Sequence, residues 1–150
     1  MDITLKPIGV VRNAVKCPGK HDWRAVESEI LVDAGLTEAL DRIDEYSHLV
    51  ILYWMHKLEP SQRSIQKVHP RRRQDLPLVG VFASRSPARP NPIGMTTVKL
   101  LSRQDNVLRV IGLDAVDGTP VLDIKPYIPD HSAEKGTQIP AWLPCYSDST

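Results

Sequence analysis

The 150-residue chain is long enough for a single domain with a real core, and its 41% apolar and 25% charged content is ordinary for a soluble globular protein. A formal net charge of +1 excludes a polyelectrolyte, so any nucleic-acid role must come from a local patch. No apolar run approaches membrane-spanning length and no apolar block follows a basic start, which leaves a soluble, cytoplasmic protein with no membrane partner as the expectation.

In chain order, Ile3, Leu5, Ile8, Val10 and Val11 predict a first strand, bent or broken near Pro7 and Gly9. Residues 13–23 are polar, contain Pro18 and Gly19, and read as a loop. Glu29 to Val32 is a short strand. Leu36, Leu40 and Ile43 recur at helical spacing behind Thr37, a candidate cap, and predict one short amphipathic helix. The strongest core element is His48 to Met55, β-branched and aromatic and too apolar for a sheet edge. Residues 57–77 are polar and uninformative about structure. Leu78 to Ala83 has the composition of a buried strand, and Thr96 to Leu101 returns to strand. Between them Pro87, Pro90 and Pro92 stiffen a loop that presents Arg85, Ser86, Arg89 and Asn91. Leu108 to Leu113 and Val121 to Ile124 are further strands, with a turn signal of the hairpin kind at Asp117-Gly118. The tail after Pro129 reads as irregular, with Trp142 free to dock on the core.

Thirteen prolines argue against long helices. Many short strands, one helix and no βαβ alternation predict a mainly β fold, a compact antiparallel β-barrel with long loops. Residues 1–130 are expected to form the barrel domain and 131–150 an irregular tail docked on it.

The chemistry begins with exclusions. There is no Gly-x-Gly-x-x-Gly after a strand, no P-loop and no Gly-x-Ser-x-Gly elbow, so the familiar nucleotide and serine-nucleophile sites are unsupported. Cys17 and Cys145 are far apart and read as free thiols of a reducing compartment. His48 and His56 bracket the apolar strand at even spacing, which would turn them to one side of a regular strand. Two ligands do not make a metal site, so no metal is expected. Asp123, between Leu122 and Ile124, needs a partner: an ion pair with Lys125 or a loop arginine, or a ligand contact. The stiff loop carries two arginines, a pattern suited to gripping a carboxylate or phosphate with forked hydrogen bonds. Arg63, Lys67, His69, Arg71, Arg72 and Arg73 precede it, with Asp75 the only acid among them. That run is either a basic face for phosphates or a solvated loop.

The stretch Val81-Phe82-Ala83-Ser84-Arg85-Ser86-Pro87-Ala88-Arg89-Pro90-Asn91-Pro92-Ile93-Gly94 resembles the signature of the TsaA-like (TrmO-like) family of S-adenosylmethionine-dependent tRNA N6-adenosine methyltransferases. The resemblance extends to Pro7-Ile8-Gly9-Val10-Val11-Arg12-Asn13, to Tyr46-Ser47-His48-Leu49 followed by His56, and to Leu113-Asp114 through Asp117-Gly118-Thr119-Pro120 and on to Tyr127. It implies a β-barrel that binds S-adenosylmethionine without a Rossmann sheet, as a homodimer. It implies methylation of N6 of threonylcarbamoyladenosine beside the tRNA anticodon. By motif position the cofactor contacts fall on His56, Lys57, Arg85 and Met95, with Ser86 and Arg89 in the same loop, and on the turn Asp117, Gly118, Thr119 and Pro120. Asp117 and His48 are the candidates for a proton acceptor at N6, and Arg71, Arg72 and Arg73 for phosphate contacts with tRNA. Longer members carry a further C-terminal domain, and a Pro-Arg-Gln segment where this chain reads Lys16-Cys17-Pro18-Gly19-Lys20. Two other readings stay open: a methyltransferase of the same fold acting on a small molecule or another modified nucleoside, and a non-catalytic cofactor- or RNA-binding barrel.

Overall fold

The chain is described by a computed structural model over residues 1–129 and 134–143. It divides into two units: Met1–Lys57 with Pro92–Tyr127, and a second built on Leu58–Asn91 that also takes in the described chain from Ile128.

The first unit holds six strands, β1 (Gly9–Arg12), β2 (Glu27–Val32), β3 (His48–Trp54), β6 (Ile93–Gln104), β7 (Val107–Ile111) and β8 (Pro120–Pro126); β4 (Lys67–Val68) and β5 (Val79–Gly80) belong to the second. The six close into a barrel in the order β1-β2-β7-β6-β3-β8 and back to β1, all pairings antiparallel. Closure leaves no long edge to pair with another chain. The period of two along each strand sorts its side chains. In β3, Leu49, Ile51 and Tyr53 are buried while His48, Val50, Leu52 and Trp54 lie on the other face. They pack with Val11, Ile30, Val98, Leu108, Val110, Leu113 and Val121 as the barrel core. As expected of so apolar a run, β3 is central, flanked by β6 and β8.

The antiparallel registers send the C-terminal ends of β1, β3 and β7 and the N-terminal ends of β2, β6 and β8 to one mouth. Residues 12–13, 27–28, 54–57, 93–95 and 112–120 therefore share that end, and His48 lies at the other. Close approach there explains Gly94. It pairs with Tyr53 across β3 and β6. A Cβ on it would stand 2.3 Å from the Tyr53 ring, closer than atoms pack.

Four expectations change. The helix after Val32 is a 3-10 helix, Ala34–Leu40, preceded by Asp33, and Thr37 does not cap it: its hydroxyl donates to the Ala34 carbonyl. The first strand is only β1, with Ile3 and Leu5 exposed. Residues 78–83 are not a buried strand: after the two residues of β5 the chain turns into a 3-10 helix, Val81–Ala83, that turns Phe82 out to solvent. Asp117-Gly118 does form a turn, with Gly118 at φ +81°, but not a hairpin, because β7 and β8 are not neighbours in the barrel.

In the second unit β4 pairs with β5 antiparallel. Pro60 opens a short 3-10 helix, Pro60–Ser64, where a missing N–H costs nothing. Arg71 and Arg72 both hold left-handed φ, 55° and 56°, in the tight turn that follows β4. The second unit also includes Trp142, which is half-buried. Cys145 lies outside the described residues, and Cys17 is an exposed free thiol.

Candidate functional site

At the barrel mouth the turn before β8 is fixed by Asn13. Its backbone N–H donates to Asp117 Oδ1 (3.0 Å). Its Nδ2 donates to Ser28 Oγ and to the Ala115 carbonyl at 2.9 and 2.8 Å. Its Oδ1 accepts the Val15 N–H at 3.0 Å. That last bond is the two-residue reach by which Asn side chains make their own turns. Backbone bonds lace the same segments: Asp117 N–H to the Val15 carbonyl, Gly118 N–H to that of Val11, and Val11 N–H to that of Thr119. Thr119 is buried, its hydroxyl held by the Val116 carbonyl at 2.6 Å. Around this hub lies a cavity of about 430 Å³ lined by Val10, Val11, Arg12, Asn13, Lys16, Asp117 and Gly118. That is within the range of small-molecule sites.

Asp117 is less available than a general base should be. Lys16 Nζ donates to its Oδ2 at 2.7 Å, and the Asn13 N–H occupies Oδ1. The Lys16 bond first, and the Asn13 N–H second, hold its carboxyl below the usual carboxylate range. His56 stands beside the same turn, its Nε2 3.9 Å from where a Cβ of Gly118 would be. Partial burial, and then the charge of Lys57, hold its imidazole below the ordinary range, so it is neutral near pH 7. Met95, at the start of β6, is half exposed at this mouth. Behind it the buried Tyr53 hydroxyl donates to Asp114 Oδ1 at 2.7 Å, and the Thr96 hydroxyl donates to the same oxygen. Burial, and then the Asp114 charge, push the Tyr53 phenol up. The fold therefore brings His56, Lys57, Met95 and Asp117 to Pro120 together.

It does not bring His48 to them. His48 opens β3 at the far mouth, bonded through Nδ1 to Ser47 Oγ at 2.8 Å and stacked edge-on against Tyr127. Six residues of strand separate it from Trp54, about 20 Å. The strand ends at Trp54, so His56 lies beyond it and the shared-face argument fails. Asp123 has its ion pair, with Lys125 Nζ at 3.0 Å, and its Oδ1 accepts the Ile124 N–H. No group of three or more metal-ligating side chains occurs among the described residues. Sequence reasoning passed over Arg12, Asn13 and Lys16 as site residues, although Arg12 and Asn13 close the first family block.

In the second unit the two loop arginines part company. Arg89 bonds its own loop: Nε donates to the Ser86 carbonyl at 2.7 Å, and Nη2 to those of Val81 and Ser84 at 3.0 and 2.6 Å. Ser84 Oγ accepts the Ser86 N–H, and Ser86 Oγ accepts the Ala88 N–H. Arg89 and Ser86 thus build the loop, which corrects the picture of two arginines gripping one ligand. Arg85 is exposed and makes no hydrogen bond or ion pair among the described residues. Arg71, Arg72 and Arg73 are exposed, and Arg73 is paired with Asp75. Residues 58–91 hold seven basic against two acidic side chains, a net +5 on a chain whose total is +1.

A model of the tRNA-methyltransferase O N-terminal domain family matches residues 12–133. A probable S-adenosyl-L-methionine-binding protein of Methanothermobacter thermautotrophicus is 42% identical over 134 residues, which cover 87% of this chain and 93% of that protein. The tRNA (adenine(37)-N6)-methyltransferase of Escherichia coli is 38% identical over 152 residues, covering 89% of this chain and 64% of that enzyme. Among solved structures, TrmO from Pseudomonas aeruginosa superimposes with a TM-score of 0.74 at 30% identity, over 97% of this chain and 65% of that one. The chain thus spans slightly less than two thirds of the length of that structure and of the Escherichia coli enzyme.

Proposed function

The chain belongs to the tRNA-methyltransferase O N-terminal domain family, and on that premise we propose that it binds S-adenosylmethionine and methylates N6 of an adenosine in tRNA, threonylcarbamoyladenosine beside the anticodon. The observation that carries this reading is the preassembled turn Asp117 to Pro120 with neutral His56 beside it; in the second unit a stiff loop presents Arg85, which makes no hydrogen bond or ion pair among the described residues. The donor set fits the cofactor. The Arg85 guanidinium matches a carboxylate, and the exposed Gly118 lets a ligand lie against backbone at a positive φ that glycine adopts without strain.

The bound cofactor supplies an activated methyl group on a sulfonium. The residues supply alignment, and alignment alone is worth up to about 7–11 kcal/mol in the best intramolecular cases. His56, neutral near pH 7, adds no further positive charge to that turn. Asp117, with both oxygens engaged, holds the turn rather than taking a proton from N6, and His48 at the far mouth serves β3 and Tyr127. Arg71, Arg72 and Arg73 hold tRNA phosphates in this reading, and the protein works in the cytoplasm as a homodimer. Sedimentation tests the dimer: a monomer mass at micromolar concentration refutes it.

A second reading has one observation in its favour. The chain covers nearly all of a relative named only for cofactor binding but 64% of the tRNA enzyme. A methyltransferase of the same fold with another modified nucleoside or a small molecule as acceptor fits that span. Labelled methyl transfer to purified tRNA, with nucleoside mass spectrometry of tRNA from cells with and without the gene, separates the two. Cofactor binding without any mass change in tRNA leaves the second reading standing and ends the first.

A further inference from the structure

Phe82 is the only phenylalanine of the chain, and it is 82% exposed, more than any other large apolar side chain described except the N-terminal Met1. It is also held in place. It sits in the middle of the 3-10 turn Val81–Ala83, with Val81 buried beneath it at 4% exposure. The Val81 N–H donates to the Gln66 carbonyl at 2.9 Å. The Val81 carbonyl accepts Ser84 Oγ and Arg89 Nη2, both at 3.0 Å. The backbone on either side of Phe82 is thus pinned by the loop clamp. Its ring stands in water because the turn turns it out, not because the segment lacks anchoring. Leu78, just before β5, is 54% exposed. Arg85 follows three residues later with no partner among the described residues, in a segment of net +5.

An aromatic presented from a pinned backbone in a strongly basic setting is the combination by which proteins take single-stranded nucleic acid: cations follow the phosphates, and the ring stacks on an unpaired base. A duplex offers no free base face, so the ring selects loops over stems. We infer that Phe82 is a stacking platform for an unpaired nucleobase of the RNA substrate. The inference rests on the tRNA reading and adds a contact to it, one that recognises a base rather than a phosphate.

The test uses the full chain and three RNAs: an anticodon stem-loop, the same stem closed as a continuous duplex, and whole tRNA. Base–aromatic stacking is worth about 1–3 kcal/mol per base, so Phe82→Ala should bind the stem-loop roughly 5- to 150-fold more weakly. Phe82→Trp should retain that affinity, because it keeps a stacking face. Duplex affinity, S-adenosylmethionine affinity, melting temperature and sedimentation mass should match the unaltered protein in both variants. Equal stem-loop binding by Phe82→Ala overturns the inference. So does a fall in cofactor affinity, which would make the ring part of the cofactor site, or a change of mass, which would make it a subunit contact. If the unaltered protein methylates tRNA and Phe82→Ala does so with unchanged KM, only this inference fails. If the unaltered protein neither binds nor methylates tRNA, the tRNA reading itself fails and takes the inference with it.

Discussion

Arg85 and Arg89 lie four residues apart on one loop, and their surroundings differ so sharply that mutation can separate their proposed duties. Arg85 is exposed and has no partner among the described residues, so Arg85→Ala should change stability by no more than about 0.5 kcal/mol. If its guanidinium holds the cofactor carboxylate, binding loses a charged hydrogen-bonding partner, about 1.5–3 kcal/mol, or roughly 10- to 150-fold in Kd. Arg89→Ala removes three hydrogen bonds to the carbonyls of Ser86, Val81 and Ser84. It should cost about 1.5–3 kcal/mol of stability by denaturant unfolding, and cofactor affinity should fall only as far as the loop loosens. Arg89→Lys cannot reproduce the fork and should recover little. Calorimetric titration with S-adenosylmethionine and urea unfolding of both variants decide the matter. Equal loss of stability in the two, or unchanged affinity in Arg85→Ala, would falsify the assignment.

Gly94→Ala should destabilise by about 1–3 kcal/mol, because the added methyl meets the Tyr53 ring; an unaltered urea midpoint would mean the ring moves aside freely. The His56 imidazole should titrate by proton NMR below the unperturbed value of about 6.5. A histidine depressed in the folded state contributes stability that is lost as pH falls from that value through the folded one, and a midpoint at or above it contradicts the burial. Lys16→Ala should move acid unfolding to higher pH. The depressed Asp117 carboxyl stabilises the fold above about pH 4 and loses that contribution as pH falls through its folded value. Replacing Arg71, Arg72 and Arg73 together by alanine should weaken tRNA binding and flatten its salt dependence while leaving cofactor affinity intact. An unchanged salt slope reduces the run to a solvated loop.

The sequence revealed most where the signal was local. The apolar alternation of residues 48–54 gave β3 and its inward face, and Asp117-Gly118 gave a turn at positive φ. What the turn connects was not local: pairing of β8 with β1 and β3 is decided across the barrel, so hairpin chemistry pointed to the wrong neighbour. The run from Leu78 to Ala83 reads as a buried strand because composition cannot distinguish a residue that packs from one that merely adjoins it. Val81 is buried and Phe82 beside it is not, and the difference is set by the bonds that Gln66, Ser84 and Arg89 make to Val81. Even spacing placed His48 and His56 on one face only by assuming that the strand continues through His56.

The same distinction separates residues that build the site from residues left to use it. Asn13 spends its backbone N–H and its whole side chain on the turn, Asp117 both its oxygens, and Arg89 its Nε and Nη2 on the loop. Groups so engaged make the surface rigid before a ligand arrives, which lowers the ordering cost of binding. They are for that reason poor candidates for proton transfer or direct grip. Arg85 and Phe82 carry the converse pattern, exposed side chains between bonded backbone positions, with no hydrogen bond or ion pair to Arg85 among the described residues. An exposed arginine adds little to stability, and a phenyl ring left in water by folding adds little either. The proposed partners from outside the chain, a carboxylate for the cation and an unpaired base for the ring, would account for both on a loop this firmly tied down.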